Sequence, residues 1–73
     1  SEVISALINA LRDDSEYVRR SACEALGKIG EKAGTSEVIS ALVNACSDDR
    51  KGVRGSACMA LGEIGEKAGT SEV

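Results

Sequence analysis

The chain carries one segment twice in tandem: SEVISALINALRDDSEYVRRSACEALGKIGEKAGT at residues 1–35 and SEVISALVNACSDDRKGVRGSACMALGEIGEKAGT at residues 36–70. The two copies align without gaps and differ at nine positions, and residues 71–73 repeat the opening Ser-Glu-Val. Self-similarity at a period of about 35 residues is typical of stacked repeat proteins. We therefore predict a first repeat at 1–35, a second at 36–70 and the start of a third at 71–73.

Each copy has the apolar pattern of two helices. The first predicted helix is apolar except along a narrow stripe, so we expect it to be buried around most of its girth; the stripe consists of Ser5, Asn9 and Arg12. The second has a single inward face at helical spacing, formed by Val18, Ala22, Ala25, Leu26 and Ile29. β-branched residues do not alternate over a useful run, which disfavours strands. The predicted fold class is all-α, with two 35-residue helical hairpins.

The second predicted helix has signals at both ends. Asp13-Asp14 marks its start, and Glu16 stands three residues after Asp13, as in an acidic version of the capping box. Gly30 and Gly34 mark its end, because glycine is favoured just beyond a helix C-terminus. We therefore expect each copy to be a complete helical hairpin.

Gly27 and Gly62 interrupt the second helices at equivalent positions. Each costs about 1 kcal/mol of helix propensity relative to alanine, so we expect each to admit a neighbouring helix at short distance. A phosphate-binding loop is the functional alternative for the glycine-rich stretch at 27–30, but the chain has neither GxxxxGK[ST] nor GxGxxG. We therefore predict a packing role for both glycines.

Composition excludes several classes of function. The chain has no His, Trp, Phe or Pro, and Tyr17 is its one aromatic residue. Without His, no Ser-His or Cys-His nucleophile pair can form, and the commonest zinc ligand is absent. A lack of aromatic side chains removes the platform for stacking nucleobases, and a net charge of −3 opposes phosphate binding. We predict no enzyme activity, no catalytic residue, no cofactor and no metal site.

The three cysteines, Cys23, Cys46 and Cys58, form no CxxC pair. No signal peptide or apolar run of about 20 residues is visible, so we expect reduced thiols, no membrane contact and a cytoplasmic location. Cys23 and Cys58 are equivalent, and stacked repeats hold such positions roughly 8–10 Å apart, too far for a disulfide. We predict that both are small, buried hydrophobic residues. The alternative is a thiol pair for metal or bilin attachment. Cys46 replaces Leu11 and is predicted to be a packing residue.

The strings VRRSACEALGKIG at 18–30 and VRGSACMALGEIG at 53–65, each after an Asp-Asp turn, resemble HEAT-type repeats. The resemblance covers the whole chain and is closest to the short subclass found in phycobilin-lyase-like arrays and artificial alpha-helical repeat proteins. It implies a right-handed α-α superhelix, or alpha solenoid, although the chain lacks the Pro of the first helix. The aromatic signature of tetratricopeptide repeats and the TPLH motif of ankyrin repeats are absent.

The resemblance also implies a link between successive units. In such repeats an Asp in the turn and an Arg six residues later often join one unit to the next. Asp13 and Arg19 keep this spacing, as do Asp48 and Arg54. A ladder of buried, charge-assisted hydrogen bonds through these four residues is therefore expected.

Four of the nine differing positions trace one line along the second helix, opposite its apolar face. We call these residues the variable stripe: Tyr17, Arg20, Glu24 and Lys28 in the first copy, and Gly52, Gly55, Met59 and Glu63 in the second. Second helices commonly line the concave face of HEAT-like arrays, so the resemblance implies that the variable stripe binds a partner. Unconstrained drift of exposed positions is the alternative explanation.

The predicted function is a protein–protein interaction scaffold that binds a protein or peptide along its concave surface. A regulatory or accessory subunit of an enzyme such as a bilin lyase is one alternative. Nucleic-acid binding is another alternative, although the net negative charge and the near-absence of aromatic residues disfavour it. Such binding would use Arg19, Arg20, Arg50, Lys51 and Arg54.

Both ends of the chain show the repeat pattern without a polar cap, which leaves two explanations. The chain is a fragment of a longer array, or it forms a homo-oligomer by head-to-tail stacking. A recent duplication, an engineered consensus and a piece of a natural array would all produce such similar copies.

Overall fold

The computed structural model describes residues 2–29 and 36–67, which form four helices: α1 (Glu2–Ala10), α2 (Glu16–Ile29), α3 (Ser36–Ala45) and α4 (Lys51–Lys67). No strand occurs within the described ranges, so the predicted all-α class is confirmed. The predicted helix end at Gly30 and Gly34 and the third repeat at 71–73 lie outside the described residues. The right-handed superhelix stays a prediction.

The N-terminus of α2 is capped by a residue other than the predicted ones. The Ser15 hydroxyl accepts the backbone N–H of Tyr17 at 3.2 Å, and Asp13 Oδ2 accepts the N–H of Ser15 at 2.9 Å. A serine oxygen in this position satisfies an amide that has no partner inside the helix. The predicted capping box between Asp13 and Glu16 is therefore wrong: the aspartate shapes the turn, and Ser15 is the N-cap.

The core lies mainly between α2, α3 and α4, and the contact between α2 and α4 is the most extensive among the described helices. The side chains in this core are small or aliphatic, which lets the helices pack closely. Its buried members are Cys23, Leu26, Val38, Leu42, Ala45, Val53, Ala57, Ala60 and Ile64.

Helix α1 is not enclosed as its apolar sequence predicts. None of its nine described residues is buried, whereas α3, with almost the same sequence, buries Val38, Leu42 and Ala45. Ile4, Leu7 and Ile8 pack against the core from its edge and stay partly exposed. The prediction of burial around most of the girth is wrong because α1 has neighbours on one side, along α2 and α3.

The residues predicted to form the inward face of the second helix are more completely buried in α4 than in α2. Ala22 and Leu26 are buried, but Val18 is 40% exposed, while its equivalent Val53 is fully buried. The prediction for Val18 is therefore wrong, since the next hairpin covers the opposite side of α2.

The equivalent glycines Gly27 and Gly62 also differ in how closely a neighbouring helix packs against them. A Cβ atom at Gly27 would lie 3.1 Å from the Ala60 Cα atom and would overlap Glu63 Oε1, so the close approach of α4 requires glycine there. A Cβ atom at Gly62 would meet no described atom within 4 Å. The predicted packing role is confirmed for Gly27, whereas Gly62 has no close neighbour among the described residues.

Candidate functional site

A groove of about 270 Å³ runs between α2 and α4. We call it the α2–α4 groove. Four of its six lining residues stand at positions where the two repeats differ, whereas Ser56 and Ala60 are common to both copies. The complete lining is Glu24, Lys28, Ser56, Met59, Ala60 and Glu63.

Four of the eight residues of the variable stripe line this groove. Tyr17 and Met59 are 69% and 70% exposed, although both side chains are large and have much apolar surface. Arg20 and Gly52 are half-buried, because the aliphatic part of Arg20 packs against Gly52, and Arg20 Nε is buried without a hydrogen-bond partner among the described residues. The other members, Glu24, Lys28, Gly55 and Glu63, are exposed. The stripe therefore combines surface side chains with part of the α2–α4 junction.

Arg19 connects the two hairpins. Its Nε donates to Asp48 Oδ2 at 2.8 Å and one terminal nitrogen donates to Asp48 Oδ1 at 3.1 Å, a two-pronged contact between α2 and the turn before α4. The other terminal nitrogen donates to the backbone oxygens of Asp13 and Asp14 at 2.7 and 3.1 Å. The guanidinium therefore fixes the position of the turn before α2 relative to the turn before α4.

The remaining residues of the predicted ladder are placed differently. Arg54 donates to the backbone oxygen of Asp48 at 2.8 Å and so holds the turn of its own hairpin. The Asp13 carboxylate accepts from Ser15 instead of binding an arginine of the other hairpin. The Arg19 and Asp48 side chains are each 14% exposed, so the linked charges are largely but not completely buried.

Hydrogen bonding shifts the pKa values of the linked pair. The bond from Arg19, followed by the bond from the backbone N–H of Arg50, lowers the pKa of the Asp48 carboxyl below its ordinary value. The same bond to Asp48 raises the pKa of Arg19. Both groups are therefore held in their charged forms.

The cysteines contradict the prediction of two equivalent core thiols. Cys23 is fully buried, whereas Cys58 is exposed, and Cys46, half-buried, packs against the core as expected. The Sγ atoms of Cys46 and Cys58 lie 3.3 Å apart. The prediction missed this pair because the two residues are separated by a turn, although the exchange of Leu11 for Cys46 was visible in the alignment.

The described residues contain no group of three or more His, Cys, Asp or Glu side chains that could hold a metal ion. Within the same residues, no helix is both long and apolar enough to cross a bilayer.

The paired helical hairpins define an α-helical repeat protein. The family described as HEAT repeats matches residues 4–72, so the chain belongs to the HEAT-repeat family. HEAT repeats generally mediate protein–protein interactions. A comparison with curated proteins found no significant match.

Proposed function

We propose that the chain is an interaction scaffold that binds a protein or peptide segment in the α2–α4 groove, along the variable stripe. One observation carries the proposal. Four of the six lining residues differ between two repeats that are otherwise nearly identical, while the surrounding framework is kept. A conserved framework with a varied concave surface is how repeat proteins acquire different partners.

The chemistry of the groove indicates the kind of segment that fits. Tyr17 and Met59 are residue types that contribute strongly to protein interfaces, and the flexible thioether adapts to irregular shapes. Glu24, Lys28 and Glu63 add charges of both signs at the groove. We therefore propose a partner segment with an apolar anchor against Met59 and flanking charges of both signs.

The pairing of the basic residues favours this proposal over nucleic-acid binding. Arg19 binds Asp48, Arg54 binds a backbone oxygen, and Arg50 Nε lies 3.5 Å from Glu16 Oε2. Three of the five basic side chains considered for phosphate contacts therefore already have partners within the protein. We propose a non-enzymatic role, which is typical of the family, and a cytoplasmic location.

The test is selection of peptides from a displayed library against the full chain, followed by affinity measurement with two matched variants. Met59→Glu places a charge in the groove, and Val43→Glu places one on an exposed apolar residue of α3. We expect Met59→Glu to weaken the selected peptides about tenfold or more, with little change for Val43→Glu. Peptides that tolerate Met59→Glu, or that lose binding equally with both variants, would contradict the proposal.

A second candidate, head-to-tail self-association, is favoured by a specific feature of α4. Cys58, Leu61 and Gly62 repeat, residue for residue, the face of α2 that receives α4, which consists of Cys23, Leu26 and Gly27. That face of α4 is partly open, and a Cβ at Gly62 meets no described atom. We propose that α2 of a second copy stacks there, a heterologous contact that extends along the array.

Sedimentation over a range of concentrations tests this association. We expect the mass to rise with concentration, and Gly62→Leu to abolish the rise because the added side chain blocks the close approach of the second helix. Ser40→Leu, on the exposed face of α3, is the control. A stable monomer at high concentration, or association that survives Gly62→Leu, would exclude this contact.

A further inference from the structure

The second hairpin holds two free thiols in contact. Cys46 follows the last residue of α3, and its backbone N–H bonds to Leu42 at 3.0 Å, which fixes it in the final turn. Cys58 lies in the middle of α4, and its S–H donates to Cys46 Sγ at a sulfur–sulfur distance of 3.3 Å. The hairpin therefore aims the two sulfur atoms at each other.

We propose that Cys46 and Cys58 are a redox-active dithiol, which a low-molecular-weight disulfide converts into an intramolecular disulfide. Neither cysteine lines the α2–α4 groove. Cys58 lies on the α4 face proposed above for self-association, so the test of this site uses the monomer. A disulfide requires a sulfur–sulfur distance of about 2.05 Å, so the two sulfur atoms need to approach by only about 1.3 Å.

The reaction proceeds in two exchange steps. Cys58, the exposed thiol, loses its proton to solvent, and its thiolate attacks one sulfur of the small disulfide, which releases one small thiol. Cys46 then loses its proton and attacks the Cys58 sulfur of the mixed disulfide, which releases the second small thiol. Two protein thiols are oxidised by two electrons in total, and one small disulfide is reduced to two small thiols.

The surroundings of the third cysteine restrict the reaction to this pair. Cys23 is fully buried, and burial is the main cause that raises its pKa to about 11, so it stays protonated and inaccessible near neutral pH. Burial is the main cause that raises the pKa of Cys46, and the nearby Cys58 thiol acts in the same direction. These environments support an order in which Cys58 reacts first and Cys46 second.

Position 46 distinguishes the two hairpins. The first hairpin has Leu11 where the second has Cys46, so Cys23 has no equivalent thiol partner within its own hairpin. One of the nine differences between the repeats therefore creates the pair. Its oxidation would tie the end of α3 to the middle of α4 and close a short loop, which restricts the unfolded chain and stabilises the hairpin.

The experiment treats the full chain with mixtures of reduced and oxidised glutathione, at a concentration where it is monomeric. Intact mass and peptide mapping after alkylation identify the products. We expect a loss of two hydrogens, a Cys46–Cys58 cross-link, an alkylatable Cys23 after unfolding, and a rise in the melting temperature of about 10 °C. Oxidation should require about tenfold less oxidised glutathione than modification of a single exposed thiol, because the second step is intramolecular.

Three variants separate this site from general thiol reactivity. Cys46→Leu, which restores the residue of the first repeat, should stop at a glutathione adduct on Cys58. Cys58→Ser should remain unmodified at Cys46, and Cys23→Ala should leave the cross-link unchanged. A glutathione adduct that accumulates on Cys58 of the unaltered chain, a cross-link that involves Cys23, or disulfides between molecules as the main product would overturn the proposal.

Discussion

The two hairpins have nearly the same sequence but bury it differently. Cys23 is fully buried and Cys58 is exposed, although they occupy the same position in the repeat. The reverse holds for the valines of the same helices, since Val53 is buried and Val18 is 40% exposed. Burial in this protein therefore depends on which neighbour stands beside a helix face, and the same apolar residue can be core in one copy and surface in the other.

The largest expected contrast between the hairpins is at the equivalent leucines of α1 and α3. Leu42 is fully buried and Leu7 is only partly covered. Leu42→Ala should lower the free energy of unfolding by about 3 kcal/mol because it leaves a cavity, whereas Leu7→Ala should cost about 1 kcal/mol. Urea denaturation gives both values, and Leu42→Met, which conserves volume, should cost less than about 1.5 kcal/mol. Equal losses at positions 7 and 42 would show that α1 and α3 are equally enclosed.

A smaller contrast, with opposite signs, is expected at the two helix glycines. Gly27→Ala should destabilise the fold by about 2 kcal/mol, because the new methyl group forces α4 away from α2. Gly62→Ala should stabilise it by about 0.5–1 kcal/mol, since alanine restricts the unfolded chain and meets no described atom. Thermal unfolding of the monomer measures both. A stabilising Gly27→Ala would mean that the helices do not approach closely at this point.

The smallest expected effect concerns the link between the hairpins and depends on pH. The folded state lowers the pKa of Asp48, so it binds fewer protons than the unfolded state near that pKa. The stabilisation is therefore present above the ordinary aspartate pKa of about 3.9 and is lost as the pH falls through the folded-state value. Asp48→Asn should flatten the acid limb of a stability–pH curve. Asp13→Asn makes the same substitution at the equivalent position, where the carboxylate binds no arginine of the other hairpin among the described contacts, and is the matched control.

The helical fold could be predicted because period and apolar spacing are properties of the sequence. The 35-residue repeat and the inward face of the second helix require no knowledge of neighbours. The link through Arg19 and Asp48 could be predicted from the family resemblance, because the turn has an aspartate at the same position in both repeats. Within the site, the variable stripe included the four differing residues that line the α2–α4 groove, but its helical spacing did not separate them from its other four members.

The remaining features depend on contacts between helices that a repeated pattern does not distinguish. Gly27 and Gly62 have similar local sequences. Helix α4 packs closely against Gly27, whereas no described residue lies close to the space beside Gly62. The Cys46–Cys58 contact depends on how α4 is rotated against the end of α3. Spacing along the chain does not determine this rotation, because a turn separates the two helices.

Alkylation of the thiols under native, reducing conditions tests most directly whether neighbouring helices set the burial of equivalent residues. The chain is treated with iodoacetamide at a concentration where it is monomeric, and mass spectrometry follows each cysteine over time. We predict rapid modification of Cys58 and protection of Cys23 until urea unfolds the protein, when the two react at similar rates. Equal rates at Cys23 and Cys58 in the folded protein would contradict the account.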